Sequence, residues 1–134
     1  MPVRHEWYNA ERSVMRYIAE GDWNWHDYHR AVRASLFAMV NHPRSVHSLI
    51  DLRASGRPTL PAGFGAHART FGRRASPALS GLAIVLGVTP EQFPQNLLDA
   101  DGTLETPDGR VYFVQSEEEA RALMASWGVK FEES

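Results

Sequence analysis

The chain has 134 residues, of which 43% are hydrophobic and 22% are charged, and its formal net charge is −2 at pH 7. These values predict a single folded domain over residues 1–134 and exclude a disordered chain. The absence of cysteine excludes disulfides, thiolate metal sites and a cysteine nucleophile. The N-terminal "MPVRHEWYN" lacks the apolar run of a signal peptide, and no segment approaches the roughly 20 apolar residues of a membrane span. We therefore expect a cytoplasmic protein without a membrane span.

Charge is unevenly distributed along the chain. Between residues 28 and 79 a single acid, Asp51, accompanies eight arginines: Arg30, Arg33, Arg44, Arg53, Arg57, Arg69, Arg73 and Arg74. From Glu91 onward acidic residues dominate, with a triplet at 117–119. This asymmetry is compatible with an anionic partner, with head-to-tail association, with a homodimer, or simply with solvated surface charges.

The first half of the chain predicts two strands, a helix and a third strand. "HEWYN" and "SVMRYIAEG" read as strands joined by a tight turn at Ala10 and Glu11. The segment "NWHDYHRAVRASLFAMVNHP" has an apolar stripe at helical spacing, formed by Tyr28, Val32, Leu36 and Met39. "SVHSLIDL" is a compact apolar strand, and the loop "RASGRPTLPAG" follows it.

The second half alternates helices and strands. A glycine-rich segment at 63–75 predicts a helix with Phe64, Ala68, Phe71 and Ala75 on one side, although its glycines weaken the pattern. "SGLAIVLGV" reads as a buried parallel strand, and "TPEQFPQNLLDADG" as a short helical turn. "TLETPDGRVYF" predicts a hairpin, and Ser116 begins a final helix with a capping box. The pattern predicts an α/β fold with a mixed, largely parallel sheet of about five strands and helices packed on it.

The aromatic stretch "GDWNWHDYH" is explained mainly by the start of a helix. Asn24 is the predicted cap, and Asp27 at the third helical position can satisfy free amide groups. The sequence leaves open whether Trp25 faces the sheet or the solvent. His26 and His29 have a spacing that metal sites use, but two ligands are too few, and we predict no metal site and no cofactor. The aromatics are committed to packing, so we expect no nucleic-acid binding.

No motif of known enzymatic mechanism is present. Ser55, His67 and Asp51 can be arranged as a nucleophilic triad on paper, but nothing in their spacing requires it. Asp51 ends a predicted parallel strand, where ligands of open α/β sheets bind, or where a carboxylate caps loop amides. "DADGTLE" does not fit a calcium loop and reads as a turn. We therefore predict a protein that is not an enzyme.

The order of elements, and above all the ending "VYFVQSEEEARALMASW", resembles the STAS-like family of the SpoIIAA type. This family contains the anti-sigma-factor antagonists and has a fold shared with SEC14-like proteins. The resemblance covers nearly the whole chain, and its motifs concern packing more than function. It implies a non-enzymatic regulatory module that binds another protein.

The resemblance is incomplete at the regulatory segment of the antagonists. They carry Asp-Ser-Ser-Gly-Leu-Gly, whose serine is phosphorylated to end binding. Here "LPAGFG", residues 60–65, retains only the Gly-Phe-Gly part. The usual phospho-acceptor is therefore missing, and Ser55 or Thr59 would be the nearest substitutes.

Two binding functions remain open. The first is recognition of an acidic protein partner, and the second is binding of a small apolar or anionic ligand between the sheet and the glycine-rich helix, as in SEC14-like proteins. The candidate residues for binding a partner or a ligand are Asp51, Arg53, Arg57, Thr59, Phe64, His67, Arg69 and Arg73.

Overall fold

The computed structural model describes residues 3–43, 45–55, 63–71, 78–88 and 98–131. The strands are β1 (Val3–Trp7), β2 (Val14–Ala19), β3 (Val46–Asp51), β4 (Leu79–Leu86), β5 (Leu104–Thr106) and β6 (Gly109–Val114). The α-helices are α1 (Trp25–Ser35), α2 (Phe64–Ala68) and α3 (Glu117–Ser126), and a 3₁₀ helix, Leu36–Met39, continues α1.

The six strands form one mixed sheet in the order β1-β2-β3-β4-β6-β5. Strands β2, β3, β4 and β6 are parallel, whereas β1 and β5 pair antiparallel with their neighbours at the two edges. The α/β prediction is thus confirmed. The sheet has six strands rather than about five, because the hairpin contributes the three-residue strand β5.

Each strand alternates its side chains between two apolar layers. In β3, Ile50 belongs to the layer that contains Tyr28 of α1 and Phe71 after α2. Its neighbour Leu49 belongs to the opposite layer, with Met124 of α3. Helices α1 and α2 therefore cover one face of the sheet and α3 covers the other. This division decides which functional side chains can meet.

The two long helices begin where the sequence predicts. Asn24 caps α1, accepting a hydrogen bond from the Asp27 backbone N–H at 2.9 Å while the Asp27 carboxylate accepts from Asn24 N–H at 3.1 Å. Ser116 and Glu119 form the same reciprocal arrangement at the start of α3. Both capping boxes satisfy backbone N–H groups that a helix leaves free at its first turn.

The glycine-rich helix is shorter in its described part than the sequence predicts. It spans five residues and gives way to a turn that reaches Phe71. Gly63 begins it in a left-handed conformation, with φ at 83°. At its end, the Thr70 backbone N–H and hydroxyl both donate to the His67 carbonyl, at 2.9 and 2.6 Å, which is a turn in place of a further helical residue. The predicted continuation over residues 72–75 and most of the predicted turn at 89–102, up to residue 97, lie outside the described residues.

Across the described ranges, no helix combines the length and the apolar character needed to cross a membrane.

Candidate functional site

Helices α1 and α2 meet through a pair of histidines. His29 Nε2 and His67 Nδ1 are 3.0 Å apart, which is a hydrogen bond in which one imidazole donates and the other accepts. The indole of Trp25 lies parallel to the His67 ring, with ring centroids 4.5 Å apart and an interplanar angle of 10°. Trp25 is buried in the layer that α1 shares with the sheet. The stacked pair therefore anchors α2 on the core side of α1.

The charge state of His29 follows from its surroundings. Burial lowers its pKa, and the nearby charges of His67, Arg33 and His26 lower it further. A neutral His29 can accept or donate in the pair, whereas two protonated imidazoles would have no acceptor nitrogen between them. The contact between α1 and α2 therefore depends on at least one neutral imidazole.

Beside this contact lies a basic surface, which we define by His26, Arg30, Arg33 and Arg69. All four side chains are exposed. Arg30 contacts His26 at 2.9 Å through Nη2 and Nε2. Among the described residues, no carboxylate forms an ion pair with any of the three arginines. Their charges are therefore available to an anionic partner.

Asp51 and Arg53 lie on the other face of the sheet. The Asp51 carboxylate, 4% exposed, accepts hydrogen bonds from Arg16 at 2.8 Å and from Arg53 at 2.8 and 3.0 Å. It also accepts from the Arg53 backbone N–H at 3.1 Å, which is the capping of a loop amide that the sequence left open as one of two roles for Asp51. Burial alone raises the pKa of Asp51, but the hydrogen bonds from Arg53 and Arg16 outweigh it and lower the pKa.

The ion pairs around Asp51 extend to α3. Arg53 lies 3.4 Å from a Glu117 carboxylate oxygen, and the Tyr8 hydroxyl donates to the other oxygen of Glu117. Arg121 donates to the same hydroxyl at 3.1 Å. This chain of contacts ties β1, β3 and α3 together. Since the Asp51 oxygens are occupied by three arginine N–H groups, the arrangement is that of a structural ion-pair network.

The remaining predicted site residues have different surroundings. Ser55 accepts a hydrogen bond from the Trp23 indole N–H at 2.9 Å. The described hydrogen-bond partners therefore differ for Ser55, His67 and Asp51. The structure supplies no support for a nucleophilic triad of these residues. Phe64 lies in α2. Three predicted residues lie outside the described residues: Arg57, Thr59 and Arg73.

The histidine spacing on α1 does not produce a ligand pair. His26 contacts Arg30, whereas His29 contacts α2. Within the part of the chain that the structure describes, no three histidine, aspartate or glutamate side chains are grouped closely enough to hold a metal ion.

A second polar cluster lies where β3 and β4 begin, and sequence reasoning missed it. His47 Nδ1 and Ser80 Oγ are 2.7 Å apart, and burial lowers the pKa of His47. The His47 ring also contacts Trp127, at 5.0 Å between centroids. Both rings line an open cavity of about 170 Å³ together with Glu11. No local motif marks this cluster, because its members come from four separate segments.

Two exposed apolar residues were also missed. Phe37 is 82% exposed and Val40 is 67% exposed. The signal was present, since Phe37 falls outside the apolar stripe of Tyr28, Leu36 and Met39.

No protein-family model, curated protein or solved structure matches the chain.

Proposed function

We propose that the protein is a non-enzymatic, STAS-like regulatory module that binds an acidic protein partner through the basic surface of α1 and α2. The observation that carries this proposal is the exposure of Arg33 and Arg69 without a described acidic partner, beside the His29–His67 contact. Exposed arginine without an internal counter-ion is a recurring feature of surfaces that recognise carboxylates.

The distribution of counter-ions supports the choice of this surface. Elsewhere in the described chain four arginines are already paired with acids: Arg4, Arg16, Arg53 and Arg110. Because the formal net charge is −2, the protein as a whole does not attract anions. Three of the described arginines without an acidic partner, Arg30, Arg33 and Arg69, lie on the side of the sheet that α1 and α2 cover, which favours a local docking site over general anion binding.

The element order supports the STAS-like part of the proposal. The antiparallel pair β1–β2 is followed by α1, β3, α2 and β4, and α3 follows the β5–β6 hairpin. The missing Asp-Ser-Ser segment argues for a module without the usual phosphorylation switch. Ser55, one of the two possible substitutes, accepts a hydrogen bond from the Trp23 indole N–H. Thr59 remains the other substitute.

The alternative of a ligand held between α2 and the sheet gains no support from the described residues. Ala68 and Phe71 are 0% exposed and belong to the apolar layer beneath α2. Protein side chains therefore fill the inner side of this segment.

Affinity capture with charge-reversed variants tests the proposed function. The tagged chain and its Arg33→Glu/Arg69→Glu variant would be used to capture proteins from cells of the source organism. We expect the wild type to retain a partner of acidic composition and the variant to lose it, since two attractive contacts become repulsive. Lys130→Glu is the matched control, because Lys130 is exposed and follows α3, which lies on the other face of the sheet.

Two results would contradict the proposal. One is equal capture by the wild type and the double variant. The other is the absence of any protein that the wild type retains more strongly than the tag alone. Circular dichroism of each variant must match the wild type, so that loss of binding is separated from loss of the fold.

A further inference from the structure

The basic surface continues into the two exposed apolar side chains. Arg30, Arg33, Phe37 and Val40 are separated by three, four and three residues, and all four are exposed. At about 100° per residue in an α-helix, positions 30, 33 and 37 point to the same side. Phe37 lies in the 3₁₀ helix, and Val40 is the residue that follows its last position, with a helical φ of −65° and an extended ψ of 124°. Because side chains three apart in a 3₁₀ helix align, Val40 follows Phe37 on this side. The four residues form one narrow stripe, which we call the α1 stripe.

This stripe is unusual for the outer side of a helix that is already packed on a core. The inner side of α1 buries Trp25, Tyr28 and Ala31 in the apolar layer. The outer side has no structural need for a phenylalanine that is 82% exposed. A mostly exposed aromatic side chain next to arginines without described acidic partners has the composition of a binding surface, in which aromatic and arginine anchors dominate.

We infer that the α1 stripe is the docking site for an acidic amphipathic helix of another protein. The inference rests on the proposed function and names the chemistry of the partner. Its carboxylates would face Arg30 and Arg33, and its apolar side chains would cover Phe37 and Val40. Positions 30 and 37 are two turns apart, or about 10 Å along the axis. A partner helix therefore matches the arginine end and the apolar end of the stripe if its carboxylates lie about seven residues, or two turns, from its apolar side chains.

A second copy of the chain fits the stripe poorly. Two-fold packing of α1 on α1 places the arginines against arginines in a parallel pair and against Phe37 and Val40 in an antiparallel pair. Neither arrangement offers them a carboxylate, since the stripe carries no acid. The acidic start of α3, Glu117 to Glu119, has the right charge, but contact between α1 of one copy and α3 of the next is head-to-tail. Such contacts continue into open chains unless they close a ring.

Nucleic acids and anionic membranes are also disfavoured. Both present anionic surfaces that extend well beyond the four residues of the stripe and therefore also meet the surrounding charges, and the formal net charge here is −2. Two apolar side chains provide little area for insertion into a bilayer. A short acidic helix responds to the local charge alone and covers both apolar side chains.

Position-specific photo-crosslinking tests the inference. The chain would be prepared with p-benzoylphenylalanine in place of Phe37 and, separately, in place of Arg69, and irradiated in an extract of the source organism. Mass spectrometry then identifies the crosslinked segment. At position 37 we expect a protein segment with acidic and apolar residues at helical spacing. Arg30→Glu should reduce the crosslink by about fivefold, from the loss of one exposed ion pair and its replacement by repulsion.

The two positions separate the inference from the proposed function. A crosslink at position 69 without one at position 37 overturns the α1 stripe as a docking site and leaves the acidic-partner function standing. Absence of crosslinks at both positions overturns both. A crosslink at position 37 to the same chain, to lipid, to nucleic acid or to a segment without acids overturns the inference alone.

A variant pair checks the apolar part of the stripe. In competition with the crosslinking chain, Phe37→Ser/Val40→Ser should compete at least about tenfold less well than the wild type, because it cannot bury the partner's apolar side chains. Glu118→Gln, an exposed change on α3, should compete as the wild type does. Equal competition by all three proteins overturns the inference. Both sites are exposed, so unchanged thermal unfolding is expected and serves as the folding control.

Discussion

Asp51→Asn should destabilise the protein by about 2 to 3 kcal/mol, because it removes the central charge of the ion-pair network. Three arginine N–H groups donate hydrogen bonds to this carboxylate. The amide oxygen of Asn can still accept some of these hydrogen bonds. The bond from Arg16, whose side chain is 21% exposed, is worth about 2 kcal/mol as a charge-assisted bond to a buried acid. The Arg53 side chain is 40% exposed, so solvent screening reduces the contribution of its contacts to stability to about 1 kcal/mol.

Urea denaturation at pH 7 measures this loss. With a slope near 2 kcal/mol/M, typical of a domain of this size, the midpoint should fall by about 1 to 1.5 M. Glu118→Gln is the matched control, since it also removes one carboxylate charge but at an exposed position, and it should change stability by less than about 0.5 kcal/mol. An Asp51→Asn variant as stable as this control would refute the reasoning.

The pH dependence provides a second check on the same carboxylate. The pKa of Asp51 in the folded state is below its ordinary value of 3.8. The ionised form therefore contributes stability that is complete above about pH 4 and is lost as pH falls through the folded-state pKa. The difference between wild type and Asp51→Asn should be largest near pH 7 and shrink below pH 4. A difference that stays constant down to pH 3 would contradict the ionic origin.

Three further predictions concern other parts of the fold. Gly81→Ala should destabilise the protein by at least about 3 kcal/mol in thermal unfolding, since its new Cβ would lie 2.1 Å from the Asp108 carbonyl oxygen. Gly102→Ala is the control: it also has a positive φ, but its Cβ would have nothing within 4 Å, so it should cost about 1 kcal/mol. Protonation of His29 favours unfolding, because its pKa is lower in the folded state than its ordinary value of 6.5. The wild type should therefore lose stability as pH falls through about 6.5, and His29→Gln should lose less. Equal slopes of stability against pH in urea titrations of the two proteins would contradict this. Ser116→Ala should cost about 1 kcal/mol in urea denaturation by removing the acceptor at the start of α3, and no loss would show that this cap is dispensable.

The helix starts were predictable because their chemistry is local. Asn24 and Asp27, like Ser116 and Glu119, satisfy each other's backbone groups within one turn. The strands were predictable from apolar runs bounded by turn residues. The early end of α2 was harder to predict, because glycine weakens the helical pattern of this segment and the burial of Ala68 and Phe71 depends on tertiary packing.

The candidate site was only partly predictable. The arginine-rich centre of the chain pointed to Arg69, and the spacing of "LFAMV" could have revealed the exposed side of Phe37. The assignment of Asp51 to the same site as His67 had no structural support, because the two residues lie on opposite sides of the sheet. That separation depends on which helix covers which face, and strand alternation alone does not specify it.

By itself, the sequence determined the α/β class and the helix caps, since these follow from patterns and contacts among residues a few positions apart. Only the tertiary structure decided that β6 lies between β4 and β5, that His29 meets His67, and that Asp51 is held by Arg16. These contacts join residues 35 or more positions apart or depend on the sheet order. Their partners are selected by how the layers pack, which no local pattern of residues encodes.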